Sequence, residues 1–471
     1  MINVLLIGNT QLKEYFSNEF NVFTINDDFF YLKDFCKKNR IDAIVQVENL
    51  SKREFFADIS QIPCLKIFWA IDIHLNFYWQ KDYFQNFDII LTSQLNFVKK
   101  INKKAIWLPW GIEDKFISEK FIPLKERKFK ISFVGLIDEN RIKRKNIIEI
   151  LKREFDIYIA GDTLKNRLPI EKVLEIYKNS WIVINESINR DINFRYFEAT
   201  SQGALLYTEK ISNGENILFL ENYEFILYSQ KDLIKKLKEL INFPEKIEKI
   251  AYRGYIKTLN FHKLSDRVKA IENIIKKNLK NFKVYKSNVS LPILKTTLRG
   301  ICDKKYIKRF FEINDDEKLN LLLLKTTNPQ KFLNSAIKLT NEPLIEINLI
   351  PLLFENSSEN PEEIIKKILK IYKKNSRLLP DYFVGYENMA NQKIFFTNFE
   401  FLFYFYNKFK SISQKNKNLN LVLAKILMEN ENYASALHFV LNLHREYPQY
   451  KYFLKLLEEC LYKIYALDFL R

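Results

Sequence analysis

Over the first 240 or so residues, short continuous apolar runs alternate with segments whose apolar residues recur every three or four positions. The runs cover residues 4–8, 22–25, 43–47, 65–69, 88–91 and 105–108, and helical spacing occupies residues 30–38. Uninterrupted runs are the pattern of strands buried on both faces, and their alternation with helices predicts parallel strands in βαβ units. Pro109, Trp110 and Gly111 close this series, and the polar, basic segment 113–130 leads out of it. A second series has runs at 131–135, 157–161, 181–185, 204–207 and 225–228. Helical spacing lies between them, at 146–153, 173–178, 194–202 and 231–241.

Two successive doubly wound units imply two lobes with a cleft between them, where ligands meet the carboxyl ends of the strands. The expected fold is α/β: two doubly wound, Rossmann-like lobes followed by an all-α region. Past about residue 244 the strand signals stop, residues 247–279 read as long helices, and the remainder is mostly helical. The expected domains are 1–122, 123–280 and 281–471. Near the end, Ala424, Tyr433, Ala436, Val440, Leu443 and Pro448 sit at spacings that resemble one tetratricopeptide unit within 420–465. A generic helical hairpin fits the same spacing, because stacked repeats are needed to bury a continuous core.

Composition narrows the class. With 47% hydrophobic and 28% charged residues in 471, the chain has the balance of a soluble, multidomain globular protein. Its net charge of +18 is compatible with a phosphate-bearing ligand or an acidic membrane surface. The lysines, however, are spread along the chain and interleaved with Glu, the pattern of a solvated surface and not of a nucleic-acid footprint. Cys36, Cys64, Cys302 and Cys460 form no CxxC pair, which argues against a disulfide framework or a zinc site and predicts a reducing cytoplasm. No signal-peptide pattern is visible, and no apolar run approaches the ~18 residues that span a bilayer. The adjacent pairs Asp27-Asp28 and Asp315-Asp316 read as turns, so no metal is expected. P-loop, GxGxxG and Ser-elbow motifs are absent.

The most informative segment runs from Asn189 to Glu209. It places Arg195 and Glu198 on a helix that follows a loop, then Gly203, then a buried strand. A helix N-terminus favours anions, an Arg there neutralises a diphosphate, and a carboxylate three residues on suits a ribose diol. From spacing alone, the two residues equally fit a surface i, i+3 pair on an ordinary amphipathic helix. Basic Arg141 and Arg144 follow the strand that ends in Gly135, and Asp72-x-His74 follows the strand at 65–69. An Asp and a His together can take the proton of a hydroxyl, although a lone Asp-x-His is also a common turn.

The run Asn193, Arg195, Phe197-Glu198-Ala199, Gly203-Ala204, Leu206 and Thr208-Glu209 resembles the donor motif of GT-B-fold glycosyltransferases. It is most similar to the spore-maturation-protein (CgeB-like) branch of the family-1 glycosyl transferases. The resemblance implies an N-terminal acceptor lobe, a donor lobe with Gly135, Arg141, Arg144, Asn193, Arg195, Glu198 and Gly203 at the nucleotide sugar, and Asp72 and His74 as catalytic candidates. Glu198 would hold the ribose and Arg195 the diphosphate. Arg253-Gly254, Phe261-His262-Lys263 and Arg267 resemble the ending of such enzymes, where a last helix packs back across the lobes and His262 is structural. Many retaining members carry a second Glu eight residues before the first, and Arg190 stands there, so stereochemistry stays open.

The expected activity is a metal-independent hexosyl transfer from a nucleoside-diphosphate sugar to a glycan, lipid-linked or protein acceptor, in the cytoplasm or at the inner face of the membrane, with no cofactor. The helical region would hold a protein partner or mediate self-association, and no nucleic acid is expected. The rival reading is a non-catalytic scaffold built on a degenerate GT-B body.

Overall fold

The computed structural model describes residues 1–25, 31–49, 54–137, 142–188, 190–229, 231–284, 289, 292–293, 406, 415–429 and 433–469. Strands β1 (Ile2–Ile7), β2 (Phe20–Thr24), β3 (Ala43–Val47), β4 (Leu65–Ala70), β5 (Ile89–Thr92) and β6 (Lys104–Trp107) form one sheet, in the order β2-β1-β3-β4-β5-β6. Helices α1 (Lys33–Lys38) and α2 (Ile73–Tyr83) serve two of its crossovers. Every pairing is parallel. Among the described residues, the expected βα alternation is loosest at the first, third and fifth crossovers, where short 3-10 turns, Thr10–Tyr15, Ile59–Gln61 and Leu95–Lys100, stand in place of α-helices.

The second sheet is also fully parallel, with β7 (Phe129–Val134), β8 (Ile157–Ala160), β9 (Ser180–Asn185), β10 (Leu205–Glu209) and β11 (Ile226–Tyr228) in the order β11-β10-β9-β7-β8. Around it run α3 (Ile142–Glu154), α4 (Ile170–Lys178), α5 (Arg195–Ser201), α6 (Glu215–Leu218) and α7 (Leu233–Ile241). The strand order places a topological switch between β1 and β3 in the first sheet and between β7 and β9 in the second. Open parallel sheets bind ligands at such points, outside the carboxyl ends of the strands.

Both faces of each sheet are buried. Leu5, Ile44 and Phe68 point into one layer of the first lobe, and Val4, Val45 and Trp69 into the other. That second layer is completed from far along the chain. Helix α8 (Pro244–Phe261) packs on the second lobe through Ile247, Ile250 and Ala251, and α9 (Leu264–Asn278) then crosses to the first lobe and buries Leu264, Val268, Ile271 and Ile275 there. The helices expected over 247–279 are these two, and the chain breaks between them at His262 and Lys263.

The break is fixed by hydrogen bonds. Ile112 N–H donates to His262 O and Leu264 N–H to Ile112 O, and the Arg267 guanidinium donates to Pro109 O (2.8 Å) and to His262 Nδ1 (3.0 Å). A Cβ on Gly111 would lie 2.6 Å from His262 O, so this crossing needs glycine. His262 Nε2 faces Leu218 O at 3.0 Å, which fixes a neutral ring that donates from Nε2 and accepts from Arg267 at Nδ1. Burial and the adjacent Arg267 charge push its pKa down to about 3.

Beyond α9 the chain stays on the first lobe. Lys283 N–H donates to Asp88, Lys66 Nζ donates to Lys283 O, and Val289 and Ile293 are buried in the core. Most of 281–400, including Pro343, Pro351, Pro380, Cys302 and Asp315-Asp316, lies outside the described residues, as do Asp27 and Asp28. Helices α10 (Lys417–Glu429), α11 (Tyr433–Glu446) and α12 (Lys451–Phe469) pack in succession, with Ala424, Ala436, Val440 and Leu443 buried between them. Cys36, Cys64 and Cys460 are free and buried. Among the described residues, no helix is long and apolar enough to cross a membrane, and no group of three His, Cys, Asp or Glu side chains is placed to hold a metal.

Candidate active site

At the switch between β7 and β9, Arg195 is the first residue of α5, and its side chain turns back over the strand ends. Nε donates to Tyr177 Oη (3.1 Å), Nη1 to Asn185 Oδ1 (2.6 Å) and Nη2 to Val134 O (2.6 Å), and the plane lies over the Phe133 ring. Burial opposes the charge, but Tyr177, Glu198 and Glu186 outweigh it and hold the guanidinium above its ordinary range. The approach depends on Gly135, whose φ is +151° and whose added Cβ would stand 2.8 Å from Nη2.

Glu198 lies one helical turn on, half-buried, and its carboxylate makes no hydrogen bond to any described residue. Burial pushes its pKa up to about 7, against the opposing pull of Arg195. Asn193 donates from Nδ2 to Asn185 Oδ1 (3.0 Å), while its own buried Oδ1 has no partner among the described residues. Asn185, wholly buried at the end of β9, also donates to Thr208 Oγ1 (2.9 Å) and is the hub of the cluster.

The other expected donor residues divide. Arg144 is buried and committed within the lobe, donating to Glu186 Oε2 (2.7 Å), Leu136 O and Glu186 O, so it fastens the loop after β7 to that after β9. Arg141 lies outside the described residues. Gly203 stands at the far end of α5 with φ +70°, and its Cα faces Phe121 and Arg127. Its place is a left-handed helix stop, apart from the Arg195 cluster. The expected helix-terminus contribution is also small, because α5 has only seven residues and no side-chain cap.

In the first lobe, Glu48 follows β3 and caps α2 from a distance: Oε2 accepts from Ile71 N–H and Asp72 N–H (both 2.8 Å), and Oε1 from Asn76 (2.7 Å). Asp72 is partly exposed at the start of α2. His74 is buried, its Nε2 is 3.8 Å from Asp191 Oδ2 of the other lobe, and its Nδ1 has no partner among the described residues. Burial lowers its pKa and Asp191 opposes that, so a carboxylate that faces this imidazole is Asp191 of the second lobe.

The lobes meet at their strand ends. Gln94 Oε1 accepts from Ile192 N–H (2.8 Å) and its Nε2 donates to Ile192 O (3.2 Å), while Asn213 bridges Gln94 (2.6 Å) and Arg190 O (2.7 Å). Between them lies a cavity of about 330 Å³ at the first switch point, bounded by Gly8, Glu48 and Ile71 and covered by Trp110 and Phe194. Sequence reasoning missed Tyr177, Asn185, Gln94, Asn213 and this cavity. The available signal was a polar residue closing an apolar strand, as Asn185 does after Ile182-Val183-Ile184.

The family model described as glycosyl transferase-like matches residues 141–273. None of the curated proteins matches. Among solved structures, the chain is similar to sucrose-phosphate synthase from Thermosynechococcus elongatus (10% identity, 59% of this chain and 99% of that one, TM-score 0.40). It is also similar to a glycosyltransferase from Rickettsia africae (14% identity, 59% and 90%, TM-score 0.40). A third is the pneumococcal O-GlcNAc transferase GtfA in complex with UDP and GlcNAc (12% identity, 53% and 60%, TM-score 0.36). Over residues 141–273, the stretch that holds Arg195, Glu198 and their buried supports Tyr177 and Asn185, the chain is thus similar to the glycosyl transferase-like family.

Proposed function

We propose that the protein is a glycosyltransferase that moves a hexosyl group from a nucleoside-diphosphate sugar to an acceptor hydroxyl without a metal ion. The observation that carries this reading is Arg195, a half-buried cation at a sheet switch point whose three hydrogen bonds among the described residues all go to neutral oxygens. A guanidinium whose hydrogen bonds go to neutral oxygens retains affinity for an anion, and the donor diphosphate is one. Glu198, with no hydrogen-bond partner among the described residues, is placed for the ribose diol, and the unpartnered Asn193 Oδ1 for a further hydroxyl.

As the glycosidic bond to the diphosphate breaks, negative charge gathers on the leaving phosphate oxygens. Arg195, already fixed by Tyr177, Asn185 and Val134, stabilises that charge without reorganising. Asp72, next in the chain to Ile71 of the cavity wall, takes the proton of the acceptor hydroxyl. His74, two residues on, is buried against Asp191. The Gln94–Ile192 clasp keeps the lobes together and water out, which limits donor hydrolysis. Acceptors of this class are glycans, lipid-linked glycans or proteins, and the reaction would run at the inner face of the membrane or in the cytoplasm.

The test is consumption of UDP-, GDP-, CMP- and dTDP-sugars by the full chain, with release of the free nucleotide. A UDP-, GDP- or dTDP-sugar should be turned over by the wild type and not by Glu198→Ala, and turnover of the monophosphate CMP-sugar alone would count against a diphosphate donor. Turnover of none, with no thermal stabilisation by any, would overturn the reading.

A further inference from the structure

We infer that helix α8 and the turn packed against it, residues 217–223, form a docking surface for a membrane that carries acidic lipids. The inference stands on the chemistry of this surface and needs no nucleotide-sugar site. Two features meet there, a cationic row without acidic partners and a rigid apolar rim.

Lys246, Lys249, Arg253 and Lys257 recur at intervals of three, four and four residues, so they lie along one face of α8. None of the four makes an ion pair with a described residue. Elsewhere on this lobe cations are paired, Lys236 with Asp232, Lys238 with Glu154 and Lys143 with Glu209. The acids of α8 do not serve the row in this way. Glu248 lies on the opposite face and accepts from Leu124 N–H (2.8 Å), and Glu245 stands in the first turn, where the helix dipole favours it.

Apolar side chains bound the row. Phe243 and Phe261, at the two ends of α8, are 61% and 57% exposed, and beside its second half Ile217, Leu220 and Tyr223 are 64%, 56% and 47% exposed. Their turn sits directly on the helix. The Arg253 guanidinium lies 3.8 Å from the centre of the Tyr223 ring, a Cβ on Gly254 would stand 2.4 Å from Glu224 O, and Leu218 O meets His262 Nε2 at 3.0 Å. The turn is also braced from within. Leu220 N–H donates to Glu224 Oε2 (2.7 Å), Glu224 N–H to Leu220 O (2.8 Å) and Asn222 N–H to Phe225 O (2.9 Å). A preformed turn has little ordering entropy to lose on docking.

This pairing of chemistries matches the surface of an acidic bilayer. Hydrocarbon takes Ile217, Leu220 and Phe261, and lipid phosphates take the row, with Glu221 the one acid in the turn against four cations on the helix. The aliphatic members argue against nucleic acid, whose bases need flat rings to stack on. The row argues against a second copy of this chain, because a symmetric pair would bring two cationic rows together.

The experiment is co-sedimentation of the full chain with vesicles of phosphatidylcholine alone and of equimolar phosphatidylcholine and phosphatidylglycerol. The mixed vesicles should hold the protein at least tenfold more tightly, and added salt should weaken that binding. Ile217→Ser with Leu220→Ser, and separately Lys246→Glu with Lys249→Glu, should each weaken it at least tenfold. All four side chains are exposed, so both variants should keep their thermal midpoints within a few degrees. No binding to mixed vesicles, equal binding to both kinds, or binding indifferent to either pair of substitutions would overturn the proposal. So would a dimer in sedimentation equilibrium that Ile217→Ser with Leu220→Ser abolishes. Titration of UDP, GDP, CMP and dTDP separates this claim from the donor reading: vesicle binding without nucleotide binding leaves the surface standing and removes the donor site.

Discussion

Asn185 Oδ1 accepts hydrogen bonds from Arg195 Nη1 at 2.6 Å and from Asn193 Nδ2 at 3.0 Å, so one buried amide at the end of β9 orients two candidate donor ligands. Replacing it by Asp would put a carboxylate against Arg195 and supply inside the protein the anion that the donor otherwise brings. Asn185→Asp should therefore fold, keep its thermal midpoint within a few degrees, and bind nucleoside diphosphate at least tenfold more weakly. Unchanged affinity by calorimetry would remove Arg195 from the diphosphate site.

Gly135 makes the same point from the backbone. Its φ of +151° and the 2.8 Å approach of Arg195 Nη2 leave no room for a methyl group. Gly135→Ala should cost about 1–3 kcal/mol in urea unfolding through strain and displacement of the guanidinium. The accompanying loss of donor affinity is what separates a misplaced Arg195 from simple destabilisation. A less stable variant that binds nucleotide normally would count against the placement.

Glu198 should make donor binding depend on pH near neutrality. Burial raises its pKa to about 7, so it passes from carboxylic acid to carboxylate as pH rises through that value. Ribose hydroxyls donate to the carboxylate, and a hydrogen bond to a charged group is worth about 1.5–3 kcal/mol. Affinity for an intact nucleotide sugar should therefore increase between pH 6 and pH 8, and Glu198→Gln should flatten the profile. An opposite slope that survives in Glu198→Gln would show that another group titrates.

His262 should tie stability to pH in a different range. Its folded pKa of about 3 lies below the ordinary value near 6.5, so the unfolded chain binds the proton first as pH falls. The stability it contributes is whole above about pH 6.5 and drains away as pH falls toward 3, at up to ~1.4 kcal/mol per unit. Urea midpoints at pH 7 and pH 5 should therefore diverge in the wild type and converge in His262→Gln. Equal divergence in the two proteins would assign the effect to other groups.

The βα order was legible because parallel strands buried on both faces appear as apolar runs, and each run from Val4 to Leu227 found its strand. Helix α9 was legible as a helix, and the family resemblance implied its return across the lobes, but the contact of Gly111 with His262 that fixes the crossing joins positions far apart in the chain. The same holds for the site. Arg195 and Glu198 are neighbours in sequence and stood out as a motif. Their support comes from Val134, Tyr177 and Asn185, brought together only by the switch between β7 and β9. The cavity joins Gly8, Glu48, Ile71, Trp110 and Phe194, a set no local spacing could disclose. The 3-10 crossovers were obscure for a simpler reason, since six residues do not establish a period.

The central claim is that Arg195 and Glu198 form a nucleotide-sugar donor site, and titration calorimetry of the full chain with UDP, GDP, CMP and dTDP tests it most directly. One nucleotide should bind with a 1:1 stoichiometry, and Arg195→Ala and Glu198→Ala should each weaken it by about tenfold or more, at ~1.5–3 kcal/mol per charge-assisted bond. No binding by any of the four, or binding that neither substitution changes, would contradict the account.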